Sequence, residues 1–324
     1  MATQTTTLGG TKATPLVRQQ KRRITIAEIL IEIGKYALLV VLAISFIMPF
    51  FWMVTSAIKN DDQVYTIPPV WFPSPVFWNN FWDAWYSGHL NFTLYTYNTV
   101  IKYAVPAMIG TVLSSAIVAY SFSRIRWWGR DTLFALVVAT LMIPGWVTLV
   151  PLFIIFKNLV WLNSFLPLVI PRFFGNAFFI FMLRQFFMTI PSELSDAAKI
   201  DGANELQTMF RIILPLSKPA LTVVALFSFM DAWNDYLGPL IYNNRDTEWV
   251  LALGVEKLRS AVYQVGNQQL AYPYLMAVST LVTLPIFVAF FFAQRTFIEG
   301  ISVTGLKGST PLVHPNQAAR QQAR

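Results

Sequence analysis

Two carboxylates stand inside an otherwise apolar run: Asp231 and Asp235, in the block Ala220 to Tyr242. Each costs about 2.5 to 3.5 kcal/mol at the centre of a membrane helix, so both must face protein or a wet cavity. Helical spacing sets them on one face with Ser228, Asn234 and Gly238, and Trp233 and Tyr236 flank that stripe. Carboxylates and an amide hydrogen-bond the hydroxyls of a polar solute while an aromatic ring packs against its apolar face. Asn176, in the preceding apolar block, is a further candidate for the same pathway. The alternatives are that the stripe packs against a partner or pairs with Arg172 or Arg184, or, in a carrier of another class, that the two acids carry protons.

Other chemistry has no residues to carry it. The chain has no cysteine and two histidines, His89 and His314, which removes thiol catalysis, disulfides and any Cys- or His-rich metal site. No HExxH or GxSxG string occurs. Gly300 to Thr310 superficially echoes a phosphate-binding loop, but a P-loop needs Lys directly after the second Gly, and here Leu306 separates Gly305 from Lys307. No cofactor, metal or enzymatic activity is expected in this chain.

The elements that must position the polar stripe are membrane helices. Of 324 residues 55% are hydrophobic and 12% charged, with mean hydropathy +0.51, where a soluble domain carries about 25% charged residues. Six apolar blocks of a length that crosses a bilayer are predicted: Tyr36 to Ile58, Thr99 to Phe122, Thr132 to Leu152, Phe165 to Thr189, Ala220 to Tyr242 and Leu275 to Gln294. The resulting division is a polar N-terminal tail (1–35) ending in a short helix from Ile24 to Lys35, a six-span domain (36–295), and a polar C-terminal tail (296–324). The fold class expected is therefore an all-α membrane protein.

The net charge of +8 reads as topology, not as a nucleic-acid signature. Seventeen Lys and Arg fall in the tails, in the Ser123 to Asp131 turn and between the fourth and fifth blocks, and six in the opposite connections. The positive-inside rule places both termini in the cytoplasm. Trp71, Phe72, Phe77, Trp78, Phe81, Trp82, Trp85 and Tyr86 then suit an interfacial belt on the outer side.

The cytoplasmic connection 191–219 carries a short helix. Ser192 is a credible N-cap after Pro191, Glu193 and Asp196 add negative charge where the helix dipole favours it, and Gly202 supplies a stop. Leu194, Ala197, Ala198 and Asp201 share one face, and the small Ala197, Ala198 and Ala203 let another surface approach. The string Asp196-Ala197-Ala198-x-x-Asp201-Gly202-Ala203, with Phe210, Leu214-Pro215 and Pro219, closely resembles the EAA loop of bacterial ABC-importer permeases.

Gln294-Arg295-x-Phe297-x-x-Gly300-Ile301-x-x-x-Gly305-x-Lys307-Gly308 resembles the C-terminal signature of the carbohydrate-importing, maltose-G-like permeases, as do Ala119 to Arg124, Met142-Ile143-Pro144 with Pro151, and Ala232 to Asp235. The resemblance implies a type I ABC-importer transmembrane domain in the bacterial inner membrane, with 191–219 forming a coupling helix that docks into an ATPase subunit. Asp196 takes the place of the motif's Glu, one methylene longer. The implied partners are a second, maltose-F-like permease, an ABC ATPase dimer that holds ATP and Mg, an extracytoplasmic solute-binding protein touching the loop Asn243 to Tyr274, and membrane lipid. A sugar or oligosaccharide is the implied solute. A polyamine, a peptide or a phosphorylated compound fits the same mechanism, and a proton-coupled carrier is the rival from another class.

Overall fold

The computed structural model describes residues 26–86, 90–262 and 272–305, with side chains beyond Gln294 and that of Glu28 excepted. Among the described residues there is no β-strand. Two compact units divide the chain within its first helix, Met1–Phe51 and Trp52–Arg324. The second holds every element discussed below apart from that helix.

Four helices are long and apolar enough to cross a membrane: Ile29–Ala57, Phe92–Arg124, Leu166–Thr189 and Tyr272–Gln294. Two bent pairs, Arg130–Met142 with Gly145–Asn158 and Glu205–Leu216 with Lys218–Asn234, bring the count to six when each pair is one span. The six predicted from the apolar blocks is the upper end of that range, and several boundaries differ. The tail helix expected to end at Lys35 continues without a break as Ile26–Ala57, because no cap or proline interrupts it before Pro49. The last helix runs to Gly305, past the tail boundary expected at 296. The third span, expected as one helix from Thr132 to Leu152, turns by 98° at Ile143 and Pro144. The residue before a proline is pushed out of the helical region, and Ile143 is extended there, with φ −81 and ψ 114.

The second span is the spine of the Trp52–Arg324 unit, packed on Ala177–Thr189 and Lys218–Asn234. The middle of its buried face is mostly small, with Ala104, Ala107, Gly110, Thr111, Ser115, Ala116 and Ala119, between the buried rings of Tyr103 and Tyr120. Apolar side chains gain nothing by leaving lipid for one another, so close backbone approach through small residues carries helix association in membranes. A Cβ on Gly110 would stand 2.6 Å from the Phe173 ring. A π-type segment, Asn98–Ala104, opens this span near its start.

The connection Asn243 to Tyr274, expected to touch a solute-binding protein, is partly built into the body. Asn98 donates to the Thr247 and Trp249 carbonyls at 2.9 Å each, and the Thr99 hydroxyl accepts from the Leu251 amide at 2.8 Å. The helix Leu251–Val262 buries Leu251, Leu253 and Leu258. Gly254 packs against Tyr95, where a Cβ would come to 2.6 Å of the ring, and both Tyr95 and Phe92 are fully buried. Gly254→Val is expected to destabilise the chain by about 1 to 3 kcal/mol through overpacking, read as a lower thermal midpoint in detergent; an unchanged midpoint would show that the aromatic pair can move aside.

Of the aromatic residues expected in an interfacial belt, Phe72, Trp78, Trp82 and Tyr86 are exposed, whereas Phe81 and Trp85 are half-buried and pack against the core. Lys59 is not a loop cation. It is fully buried with Nζ 3.8 Å from the Trp52 ring centre, and burial pushes its ammonium below the usual range.

Candidate functional site

Two groups of residues were singled out for function. The first is the connection after the fourth span. Its helix is Ser192–Ile200. Pro191 occupies the cap position and makes no side-chain cap, so Ser192 is the first helical residue and not the N-cap; of the two acids only Glu193 lies in the first turn. The stop is built as expected. Gly202 is left-handed at φ +82, its N–H donates to the Lys199 carbonyl at 3.1 Å, and the Ala203 N–H donates to Ala198 at 2.9 Å. Those paired bonds form a Schellman motif, which satisfies carbonyls the helix leaves open.

The face expected to hold Leu194, Ala197, Ala198 and Asp201 together is divided. Ala198 turns inward with Ser195, both buried, while Leu194, Ala197 and Asp201 are exposed. Opposite the inward pair, Glu193, Asp196, Ala197 and Ile200 follow one another at helical spacing. Ile200 is 87% exposed. The sequence reading missed it; its signal was an isoleucine spaced four residues from Asp196 on a helix whose other apolar side chains are mostly alanines.

This helix is fastened to the membrane domain by charge. Lys199 pairs with Glu205 at 2.8 Å, and that carboxylate also accepts the Tyr120 hydroxyl at 2.7 Å. The bond to Glu205 holds the Lys199 ammonium above its usual range. Arg124, at the end of the second span, donates to the carbonyls of Phe187 and Ile190 and so closes the end of the fourth. Asn204 and Gln207 form a reciprocal capping box that starts Glu205–Thr208. From there Glu205–Leu216 meets Lys218–Asn234 at a corner of 81°.

The second group is the polar stripe of the fifth span, and here the structure separates what periodicity had joined. The helix ends at Asn234; Asp235 is extended at φ −67 and ψ 112, and helix resumes only at Leu237–Tyr242. Asp231 and Asp235 therefore do not share a helical face. Asp235 accepts the Tyr103 hydroxyl at 2.5 Å and the Gly238 N–H at 3.0 Å, which makes it a pin for the break. Trp233 is 4% exposed and stacks beside Phe229 in a core containing Ala57 and Leu275, so it lines no pathway. Ser228 is buried.

Asn176 is likewise structural: it caps Ala177–Thr189 through the Phe179 N–H at 3.2 Å, just after the left-handed Gly175 interrupts the fourth span. Asp231 and Asn234 remain at the surface of the chain. Asp231 pairs with Arg172 at 2.7 Å, and the Arg172 carbonyl accepts the Ser114 hydroxyl at 3.1 Å. Asn234 donates to the Met230 carbonyl at 2.8 Å, leaving its side-chain oxygen open. Arg184, the other candidate partner, donates to the Phe122 carbonyl at 3.2 Å and lies over the Phe134 ring. With Asp231 neutralised by a guanidinium and Asp235 committed to a backbone turn, neither acid is placed as a free proton carrier.

Lys102 reaches Glu248 at 3.5 Å, in the connection following the fifth span. Among the described residues no His, Cys, Asp and Glu cluster fits a metal ion. Of the C-terminal signature, Lys307 and Gly308 lie outside the described residues, as does the tail from Ser309 onward. His89 and His314 do too.

Comparison with known proteins adds the following. Residues 111–303 match the family described as binding-protein-dependent transport system inner membrane component. The probable ABC transporter permease protein YurM of Bacillus subtilis is 30% identical over 282 residues, covering 86% of this chain and 89% of its own. The diacetylchitobiose uptake system permease protein NgcG of Streptomyces coelicolor is 30% identical over 82% of this chain and 86% of its own. The sn-glycerol-3-phosphate transport system permease protein UgpE of Yersinia enterocolitica is 29% identical over 84% and 96%. Among solved structures, a chain of a bacterial ABC transporter involved in the import of the acidic polysaccharide alginate superposes with a TM-score of 0.73 at 20% identity, covering 85% of this chain and 99% of that one.

Proposed function

The chain belongs to the family of binding-protein-dependent transport system inner membrane components, and from that premise we propose that it forms half of the translocation pathway of an ATP-driven importer of a sugar or oligosaccharide. The permease role follows from membership. The solute class draws on relatives whose names specify diacetylchitobiose and polygalacturonan/rhamnogalacturonan. A relative for sn-glycerol-3-phosphate keeps a phosphorylated solute as the second reading.

The observation that carries the coupling role is the helix Ser192–Ile200, ended by its Schellman stop and turned so that Glu193, Ala197 and Ile200 face away from the chain, with Asp196 at the rim of the inward cleft. An ATPase partner holding ATP and Mg takes that face. Closure of the ATPase dimer moves the helix, and the corner at Ser217 passes the motion to Lys218–Asn234. Two permeases rocking about the shared cavity then alternate access, and a solute-binding protein delivers the solute from outside. Both termini are cytoplasmic in this arrangement, following the Lys and Arg distribution. Asp231 and Asn234 line the cavity; Arg172 keeps the acid charge-compensated between transport events.

The test is affinity purification of tagged chain from its native host in mild detergent, wild type against Asp196→Arg. An ATPase and a second permease should accompany wild type, with the ATPase lost from the variant. Recovery of wild type alone, under conditions that preserve transport, would end this reading.

A further inference from the structure

On the inward side of the helix Ser192–Ile200, a cleft of about 720 Å³ separates it from the turn that links the second and third spans. Arg124, Arg126, Arg130 and Lys199 line it, against Asp196 and Glu205. Three of those cations are already engaged: Arg130 with Asp131, Lys199 with Glu205, and Arg124 with two carbonyls. Arg126 has no ion-pair or hydrogen-bond partner among the described residues. It also lines a second cleft of about 360 Å³, shared with Arg130 and Trp127.

Around these clefts three donors are buried without a partner: the Ser195 hydroxyl, the Arg124 Nε and the Trp127 Nε1. Ser195 is 8% exposed. Arginine and indole nitrogens can only donate, and a buried donor left unmade is costly. A free guanidinium beside three unanswered donors describes a site for an anion with several acceptor oxygens.

We propose that this site binds the phosphate headgroup of an anionic phospholipid. The position selects lipid. The turn joins two apolar helices, Phe92–Arg124 and Arg130–Met142, so Arg126 stands where the chain leaves the hydrocarbon. Trp128 is 97% exposed in the same turn, and an indole settles at headgroup level. Basic residues beside a membrane helix attract anionic lipid. The cleft lies against Ser195 and reaches Asp196 at its rim, so Glu193, Ala197 and Ile200 on the outward face are left for the ATPase. A headgroup seated there is a wedge under the coupling helix and makes transport sensitive to lipid composition.

The leaflet follows from the orientation proposed above, but binding does not depend on transport and fails separately from it. The full-length chain, purified in neutral detergent, is titrated with phosphatidylglycerol and with phosphatidylcholine, and retained lipid is counted by native mass spectrometry. Wild type should hold phosphatidylglycerol about ten-fold more tightly. Arg126→Gln should remove most of that preference and Ser195→Ala part of it, whereas Lys157→Gln should leave it unchanged. Millimolar inorganic phosphate should not displace the lipid. Equal retention of the two lipids, or a preference that survives Arg126→Gln combined with Arg130→Gln, overturns the proposal. Displacement by inorganic phosphate would assign the site to a free anion. Loss of phosphatidylglycerol when the ATPase assembles, together with weaker ATPase retention by Arg126→Gln, would assign it to an acidic group of that protein.

Discussion

Arg172→Leu should leave far less folded chain recoverable in mild detergent than wild type, and adding Asp231→Asn should restore most of it. The reasoning starts from the 2.7 Å contact between the two side chains. Arg172 stands in the interrupted part of the fourth span and Asp231 three residues before the fifth helix ends, so each is the other's neutraliser across two spans. An uncompensated carboxylate near the middle of a membrane helix costs about 2.5 to 3.5 kcal/mol. Asp231 is more than half exposed on this chain, and water reaching it from the cavity lowers that cost, so about 2 kcal/mol is expected for the single change.

Asp231→Asn alone is milder, because an arginine near a helix interruption can reach other carbonyls. Fluorescence-detected size exclusion after a temperature series reads all three variants. If Arg172→Leu melts with wild type, or if the double change is no better than the single one, the pair is not holding the fourth and fifth spans together. Uptake separates structure from transport: a double variant that is stable but inactive places the pair in the pathway, and one that is stable and active assigns it to packing.

The difference between what the sequence disclosed and what it hid has a physical basis. Apolar blocks of spanning length report a bulk property, transfer into hydrocarbon, and all six were legible. The EAA-like string was legible because a glycine stop and small residues have few alternative uses, and the left-handed Gly202 answers that requirement. Side-chain direction was not legible, because it depends on where a helix ends. Extending the period of Lys218–Asn234 by one residue put Asp235 on the face of Asp231, whereas the backbone is extended at that residue and the carboxylate turns to Tyr103. Asn176 failed for a related reason: the left-handed Gly175 breaks the fourth span, and the next polar side chain becomes its cap. Trp233 was read as a ring packing against the solute because it flanks Asp231 and Asn234, and contacts distant in sequence made it core.

Ile200→Asp should reduce uptake more than ten-fold while leaving the amount of chain in the membrane unchanged. Those two outcomes together are what a docking residue predicts. Ile200 is 87% exposed at the end of a helix whose inward side, Ser195 and Ala198, is already buried against the chain. Its side chain therefore contributes little to folding, and exposed substitutions of that kind change stability by less than about 0.5 kcal/mol. An isoleucine filling a pocket on a partner behaves differently. Burying it contributes about 1.5 to 3 kcal/mol, and an aspartate in the same pocket adds an unpaired buried charge. A loss of about 2 kcal/mol in docking corresponds to roughly thirty-fold in affinity.

Glu193 shares the outward face with Ile200, and Asp196 stands between that face and the inward cleft, so both border the apolar contact with negative charge and set which surface can meet it. Ile200→Leu should therefore remain nearly active, since it keeps the apolar volume, and Ala197→Trp should fail as Ile200→Asp does, by blocking close approach. Solute uptake in cells, normalised to membrane-inserted chain, measures all three. Full uptake by Ile200→Asp would mean that the partner grips another face of this segment, and the exposed surface of Glu205–Leu216, with Leu206 and Phe210 open, would be the next to probe.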